Sequence, residues 1–257
     1  MSQETPKIVT ERRGHVLLIT INRIDARNAF DHETALGMEA AIDLLDSDPE
    51  LRVGIISGAG KHFCAGADLK GVAQGLKPVG ERRGGFGIFE RPSLKPVIAA
   101  VDGYAVGGGF ELCLACDLVV ATRAARFGLP EVRHNVVAVG GALFRLQKRI
   151  PYNVATELAL TGRFVDAELL HGYGFVNRLA EQGKAVDAAL ELAEEILVNG
   201  PTAISATREI IFQSASWTDV AAWSNQRPIA SRALESEDAK EGLRAFAEKR
   251  KPEWKGR

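Results

Sequence analysis

Short, β-branched apolar runs alternate with helical spacings through the first half of the chain. Val16-Leu17-Leu18-Ile19-Thr20-Ile21 is the first run, and Val53-Gly54-Ile55-Ile56-Ser57 is the next, closed by Gly58-Ala59-Gly60. Val97–Val101 and residues 118–121 repeat the signal. Asp31 stands where a helix needs an N-cap, so a helix is predicted from there through about Leu45, ending before Pro49. Strands that are apolar at every position belong in a sheet covered on both faces, and their alternation with helices predicts an α/β fold of repeated strand-and-helix units.

Two regions break this pattern. Residues 71–91 carry Gly75, Gly80, Gly84, Gly85 and Gly87 among charges, with neither helical nor strand period. They are predicted to form a surface segment, disordered or folded over a ligand. Further on, Val186, Leu190, Ala193 and Leu197 share one helix face, and the helix stops at Asn199-Gly200-Pro201. More helices follow, with Thr218 and Ser236 as N-caps. Residues 1–199 are therefore expected to form the α/β core. Residues 200–257 are expected to form a helical segment too small for a core of its own, which packs on the first part or on another subunit.

Composition narrows the function. The 257 residues are 46% hydrophobic and 25% charged, which excludes collagen, coiled coil and general disorder. With 32 Lys plus Arg against 33 Asp plus Glu, no overall charge draws the chain to nucleic acid or an anionic membrane. The N-terminal stretch through Arg13 has no apolar leader-like run, and no stretch of about 18 apolar residues occurs. Cys64, Cys113 and Cys116 fit neither a disulfide framework nor a zinc site, and the Cys113/Cys116 spacing falls in an apolar helical run where thiols pack. A reduced, cytoplasmic protein without a metal centre is expected.

Two glycine clusters carry the chemistry. Phe63-Cys64-Ala65-Gly66-Ala67-Asp68-Leu69 follows one strand, and Asp102-Gly103-Tyr104-Ala105-Val106-Gly107-Gly108-Gly109-Phe110-Glu111 follows another. A glycine turn that opens a helix exposes unpaired N–H groups at the positive end of the helix dipole. Were the N–H groups of Ala67 and Gly108 to converge, they would form a two-donor oxyanion hole. Neither cluster has the spacing of a dinucleotide or nucleoside-triphosphate cradle. Glu111 lies in the first helical turn after the glycines and Glu131 follows Pro130. Two carboxylates beside an activated carbonyl can divide acid and base work.

These segments resemble the crotonase, or enoyl-CoA hydratase/isomerase, family. The resemblance runs through Arg27-Asn28-Ala29-Phe30, both glycine clusters, the run beginning Lys95-Pro96-Val97, then Phe127-Gly128-Leu129-Pro130-Glu131, Thr161-Gly162-Arg163 and residues 236–252. It implies a spiral of strand-strand-helix units, a C-terminal helical segment that builds homotrimers or dimers of trimers, and an acyl-CoA thioester as substrate. Coenzyme A is then part of the substrate and no further cofactor is needed. By the same resemblance, Ala67 and Gly108 hold the thioester oxygen. Arg27, Ala65, Asp68, Leu69 and Lys70 bind the CoA portion, and Glu111 and Glu131 are the catalytic pair of a hydratase. An isomerase and a non-catalytic acyl-CoA-binding oligomer are the alternatives.

The family pattern breaks where many members carry Pro-Gly-Ala-Gly-Gly-Thr and this chain reads Ala138-Val139-Gly140-Gly141-Ala142-Leu143. Val139 is expected to add bulk to the pocket wall. His134 reads as a solvated loop residue. The basic tail, with Lys249, Arg250, Lys251 and Lys255, is either a solvated end or a contact for a CoA phosphate.

Overall fold

The structure is a computed structural model that describes residues 6–257. Residues 1–5, part of the stretch read above as lacking a leader, lie outside the described residues. The chain begins with β1 (Ile8–Arg13), β2 (Val16–Ile21), α1 (His32–Ser47), β3 (Val53–Gly58) and a short α2 (Leu69–Ala73). Then come β4 (Val97–Val101), β5 (Tyr104–Val106), α3 (Gly108–Ala115), β6 (Leu118–Thr122) and β7 (Arg126–Gly128). After a 3-10 turn over Pro130–His134 follow α4 (Ala142–Arg145), α5 (Tyr152–Thr161), β8 (Phe164–Asp166), α6 (Ala167–Gly172) and β9 (Arg178–Ala180). Four helices close the chain: α7 (Ala185–Leu197), α8 (Pro201–Ser214), α9 (Asp219–Leu234) and α10 (Glu237–Glu248).

The larger sheet has the order β1-β2-β3-β4-β6-β9, parallel from β2 onward, with β1 as an antiparallel edge. A smaller sheet has the order β5-β7-β8. β4 leads into β5 and then α3, and β6 leads into β7, so successive units step from one sheet to the other. The result is the predicted spiral of strand-strand-helix turns. β3 and β4 are buried along nearly their whole length because both faces are covered. One face packs on α7 through Ala185, Ala189 and Ala193, and the other faces the main core with Ile42, Leu45, Phe63 and Leu112. Ala193 is buried as predicted, but the rest of the stripe is Ala185 and Ala189, leaving Val186, Leu190 and Leu197 at its margin. Small alanines let the helix approach the sheet closely.

Residues 71–91 divide: through Arg82 they lie mostly on the surface, as expected, whereas the stretch from Arg83 to Phe89 turns into the core. Phe86, Ile88 and Phe89 are buried in the main core, and the Phe86 ring stacks on Phe30 at 4.1 Å. The buried Glu39 carboxylate accepts the N–H groups of Arg82 and Arg83, each at 2.8 Å. Arg83 in turn pairs with Asp43 at 2.8 Å and Asp46 at 2.7 Å. Gly87 serves a close approach: a Cβ there would collide with the carbonyl of Ala35 in α1.

The C-terminal helices start where predicted, with Gly200 as N-cap and Pro201 in the first turn of α8. Thr218 and Ser236 cap α9 and α10 through their side chains. The tail returns to α10: Asp238 accepts the N–H groups of Lys255 and Gly256, and Trp254 Nε1 donates to Val198 O at 3.0 Å. Arg250 is engaged by Glu241 and Glu248. Among the described residues no helix is long and apolar enough to cross a membrane. The three cysteines are free and buried.

Candidate active site

The first glycine cluster is held from below by the Arg27-Asn28 turn. Asn28 is fully buried, and its amide donates to Ala59 O at 2.9 Å and His62 O at 2.6 Å. The carbonyl of Arg27, a residue with φ of +52°, accepts the Ala65 N–H at 3.1 Å. Phe30 N donates to Gly66 O and Asp68 N donates to Phe30 O, each at 2.8 Å, so the chain on either side of Ala67 is clamped. The Ala67 N–H itself has no acceptor among the described residues.

The second cluster is driven against the first. Gly107 has φ of +56° and ψ of −127°, open to glycine alone, and turns the chain from β5 into α3. A Cβ on Gly109 would collide with Cys64 O, and one on Gly66 would stand 3.3 Å from Gly108 N. Residue 66 and the first turn of α3 are therefore in contact. The Gly108 N–H, at the start of α3, is also without an acceptor among the described residues. The two donors singled out in the sequence, one before α2 and one opening α3, are brought to the same place.

Both acids are beside them. Glu111, one turn into α3, is 5% exposed, and its Oε1 accepts the Ala142 N–H at 3.1 Å. Its carboxyl is raised to about 7, chiefly by burial and also by the neighbouring Glu131, against the Ala142 and Gly140 N–H groups and the Arg145 charge. Glu131 lies on the Pro130–His134 turn, half-buried, and faces Gly107. Its Oε2 is inaccessible to solvent and has no hydrogen-bond partner, and burial raises its carboxyl too. The nearby Glu131 disfavours charge on Glu111, whose carboxyl is held by the Ala142 N–H, while Glu131 Oε2 is left without a partner.

The wall between them is aromatic. A Cβ on Gly108 would collide with the Phe86 ring, and one on Gly140 would collide with the Phe89 ring and lie 2.5 Å from Glu111 Oε2. Gly140, rather than the preceding residue, makes the close approach. Val139 is 87% exposed and adds nothing to this wall, contrary to the expectation from sequence. His134 is exposed on its turn.

The remaining predicted residues divide by role. Arg27, Leu69 and Lys70 are exposed along the rim of the first cluster, and Ala65 is half-buried there. The Asp68 carboxylate caps Lys70 N and pairs with Arg23 at 3.0 Å, and that guanidinium holds its carboxyl below the ordinary range. Sequence reasoning missed Arg23, Phe86, Phe89 and Arg145. The phenylalanines lay in a segment without period, and the acceptors of Arg145 lie on other segments. A cavity of about 160 Å³ opens beside Ala142, lined by Leu129, Leu143, Leu146, Tyr152 and Leu160. A larger one, about 450 Å³, lies between the C-terminal helices and the core near Leu51, Ile196 and Ile229. Its lining contains neither acid nor either donor, so its size does not make it the site of the chemistry. No cluster suited to hold a metal ion is found among the described residues.

Comparison with known proteins follows the geometry. Residues 11–257 match the family described as enoyl-CoA hydratase/isomerase. An enoyl-CoA hydratase of Mycobacterium tuberculosis is 40% identical over 98% of this chain and 97% of its own length. A carnitinyl-CoA dehydratase of Salmonella paratyphi A is 45% identical over 96% of this chain and 97% of its own. The crystal structure of an enoyl-CoA hydratase from Mycobacterium marinum superposes with a TM-score of 0.96 at 50% identity, covering 98% of this chain and all of that one. The chain belongs to the enoyl-CoA hydratase/isomerase, or crotonase, family of enzymes.

Proposed function

We propose that the protein is a 2-enoyl-CoA hydratase that reversibly adds water to a trans-2-enoyl-CoA to give a 3-hydroxyacyl-CoA. The observation that carries this reading is the meeting of two unpaired backbone donors with two carboxylates whose environments differ. With the thioester oxygen between the Ala67 and Gly108 N–H groups, charge drawn toward the carbonyl leaves C3 open to attack. Glu111 takes a proton from the attacking water, and its backbone bonds orient the carboxylate for that task. Glu131 delivers a proton to C2 as the enolate collapses. In reverse, the same groups dehydrate a 3-hydroxyacyl-CoA, as the name of the carnitinyl relative describes for that protein.

Arg27, Ala65, Leu69 and Lys70 lie where the CoA portion would run, with Asp68 shaping the segment through Arg23. No metal or organic cofactor is needed for these steps. Exposed Phe212, Trp223 and Phe246 on α8, α9 and α10 support a homotrimer or dimer of trimers, with these faces on a second copy. The free, buried thiols fit a reduced, cytoplasmic setting.

The test is loss of the conjugated thioester absorbance with a panel of short, branched and aromatic enoyl-CoAs in ¹⁸O-labelled water. Label in the product supports hydration. A shifted double bond without label would make the protein an isomerase. Tight binding without turnover, unaltered in Glu131→Gln, would make it a non-catalytic binder.

A further inference from the structure

Arg145 ends α4 with its guanidinium turned back toward the acids. Nη2 donates to Phe89 O at 2.6 Å and Nη1 donates to Gly140 O at 3.1 Å. The guanidinium carbon lies 5.2 Å from the centre of the Phe144 ring. Gly140 lies between the Phe89 ring and the Glu111 carboxyl: a Cβ added there would meet both the ring and Glu111 Oε2. One planar cation thus joins two segments far apart in sequence beside that acid. Lysine would hold the two carbonyls less rigidly, since its ammonium lacks the fixed planar fork of a guanidinium.

We propose that Arg145 is a positioning residue for the acid pair. It staples the Phe89 segment to the Gly140 turn so that the Ala142 N–H stays on Glu111, and its charge favours the ionised form of that carboxyl. Both of its acceptors are neutral carbonyls, so they leave its charge uncancelled. The charged groups acting on Glu111 are Glu131, from the Pro130–His134 turn, and Arg145, from α4; Arg149 acts on Arg145 in turn. The catalytic side of this inference rests on the hydratase reading, and the electrostatic side does not.

The experiment compares the full-length wild type with Arg145→Gln and Arg145→Lys. Infrared titration follows the Glu111 carboxyl, assigned by its loss in Glu111→Gln, and kinetics use an enoyl-CoA that the wild type hydrates. Arg145→Gln is expected to raise the Glu111 midpoint by about one pH unit, the usual worth of one nearby charge. It is expected to lower kcat about 10- to 100-fold with KM within about threefold, as when an acid–base group is displaced without loss of substrate binding. Arg145→Lys is expected to keep the midpoint while lowering kcat about 3- to 10-fold, because the charge remains and the fork does not. An unmoved Glu111 midpoint or wild-type kcat in Arg145→Gln overturns the proposal. If that variant does not fold, wild-type kcat in Arg145→Lys overturns it. A wild type that hydrates no enoyl-CoA defeats the functional reading, and the infrared arm still decides the role of Arg145.

Discussion

Glu131 Oε1 lies over Gly107, 3.1 Å from where a Cβ on that glycine would stand. The glycine is bound by two independent constraints: its backbone occupies a region closed to side chains, and the acid occupies the space a side chain would need. Gly107→Ala is expected to cost about 1–3 kcal/mol of stability from backbone strain and to displace Glu131. Turnover should fall at least tenfold, an ordinary effect for a shifted acid–base group. Denaturant unfolding and steady-state kinetics on the same preparation check both.

Glu111 links the site to the pH dependence of the whole molecule. Its carboxyl moves from an ordinary 4.5 to about 7 on folding, chiefly through burial. Between those values the folded state holds a proton that the unfolded state has released. Stability therefore falls as pH rises through this window, and the cost is complete above about pH 7. Glu111→Gln keeps an oxygen for the Ala142 N–H and has no charge to bury. It should be more stable than the wild type by about 2–3 kcal/mol at pH 8, with the difference closing near pH 4. Because the base must be ionised, kcat/KM of the wild type should fall as pH drops through about 7. Parallel unfolding curves for the two proteins across this range would contradict the assignment.

Gly140 tests steric closure without backbone strain, since its φ lies outside the left-handed region. Gly140→Ala pushes a methyl between Phe89 and Glu111. A destabilisation of about 1–3 kcal/mol is expected from overpacking, with kcat reduced more than substrate affinity. Val139→Ala serves as the control, because the Val139 side chain is 87% exposed and should leave both quantities close to wild type.

Much of this arrangement was legible in the sequence, and the illegible part has a physical cause. The central strands announced themselves because a strand covered on both faces must be apolar throughout. Asp31, Thr218 and Ser236 announced helix starts because orphan N–H groups need a side-chain acceptor. β1 escaped notice because it is a charged, exposed edge strand, and β5, β7, β8 and β9 because three residues carry no measurable period. The stretch from Arg83 to Phe89 misled for another reason. Its order comes from Glu39, Asp43 and Asp46 on α1 and from stacking on Phe30, partners distant along the chain. The same holds for Arg145, whose acceptors lie on two other segments.

Phe86 is the keystone of that misread segment. Its ring stacks on Phe30 at 4.1 Å and on Phe89 at 4.8 Å, and it abuts Gly108. Phe86→Ala is expected to cost about 3–5 kcal/mol, the range for emptying a buried aromatic site. Faster proteolysis between residues 71 and 91 should accompany the loss. A stability change under 1 kcal/mol would show that the segment is not held by the core.

Vibrational spectroscopy of a bound thioester tests whether the Ala67 and Gly108 N–H groups share its carbonyl oxygen. Glu131→Gln, slowed in turnover, is loaded with an enoyl-CoA carrying ¹³C at the thioester carbonyl, and its infrared difference spectrum is recorded. Two donors on one oxygen weaken the C=O bond, so the carbonyl band is expected at lower frequency than in free thioester. A bound thioester whose carbonyl band stays at the solution frequency would contradict it.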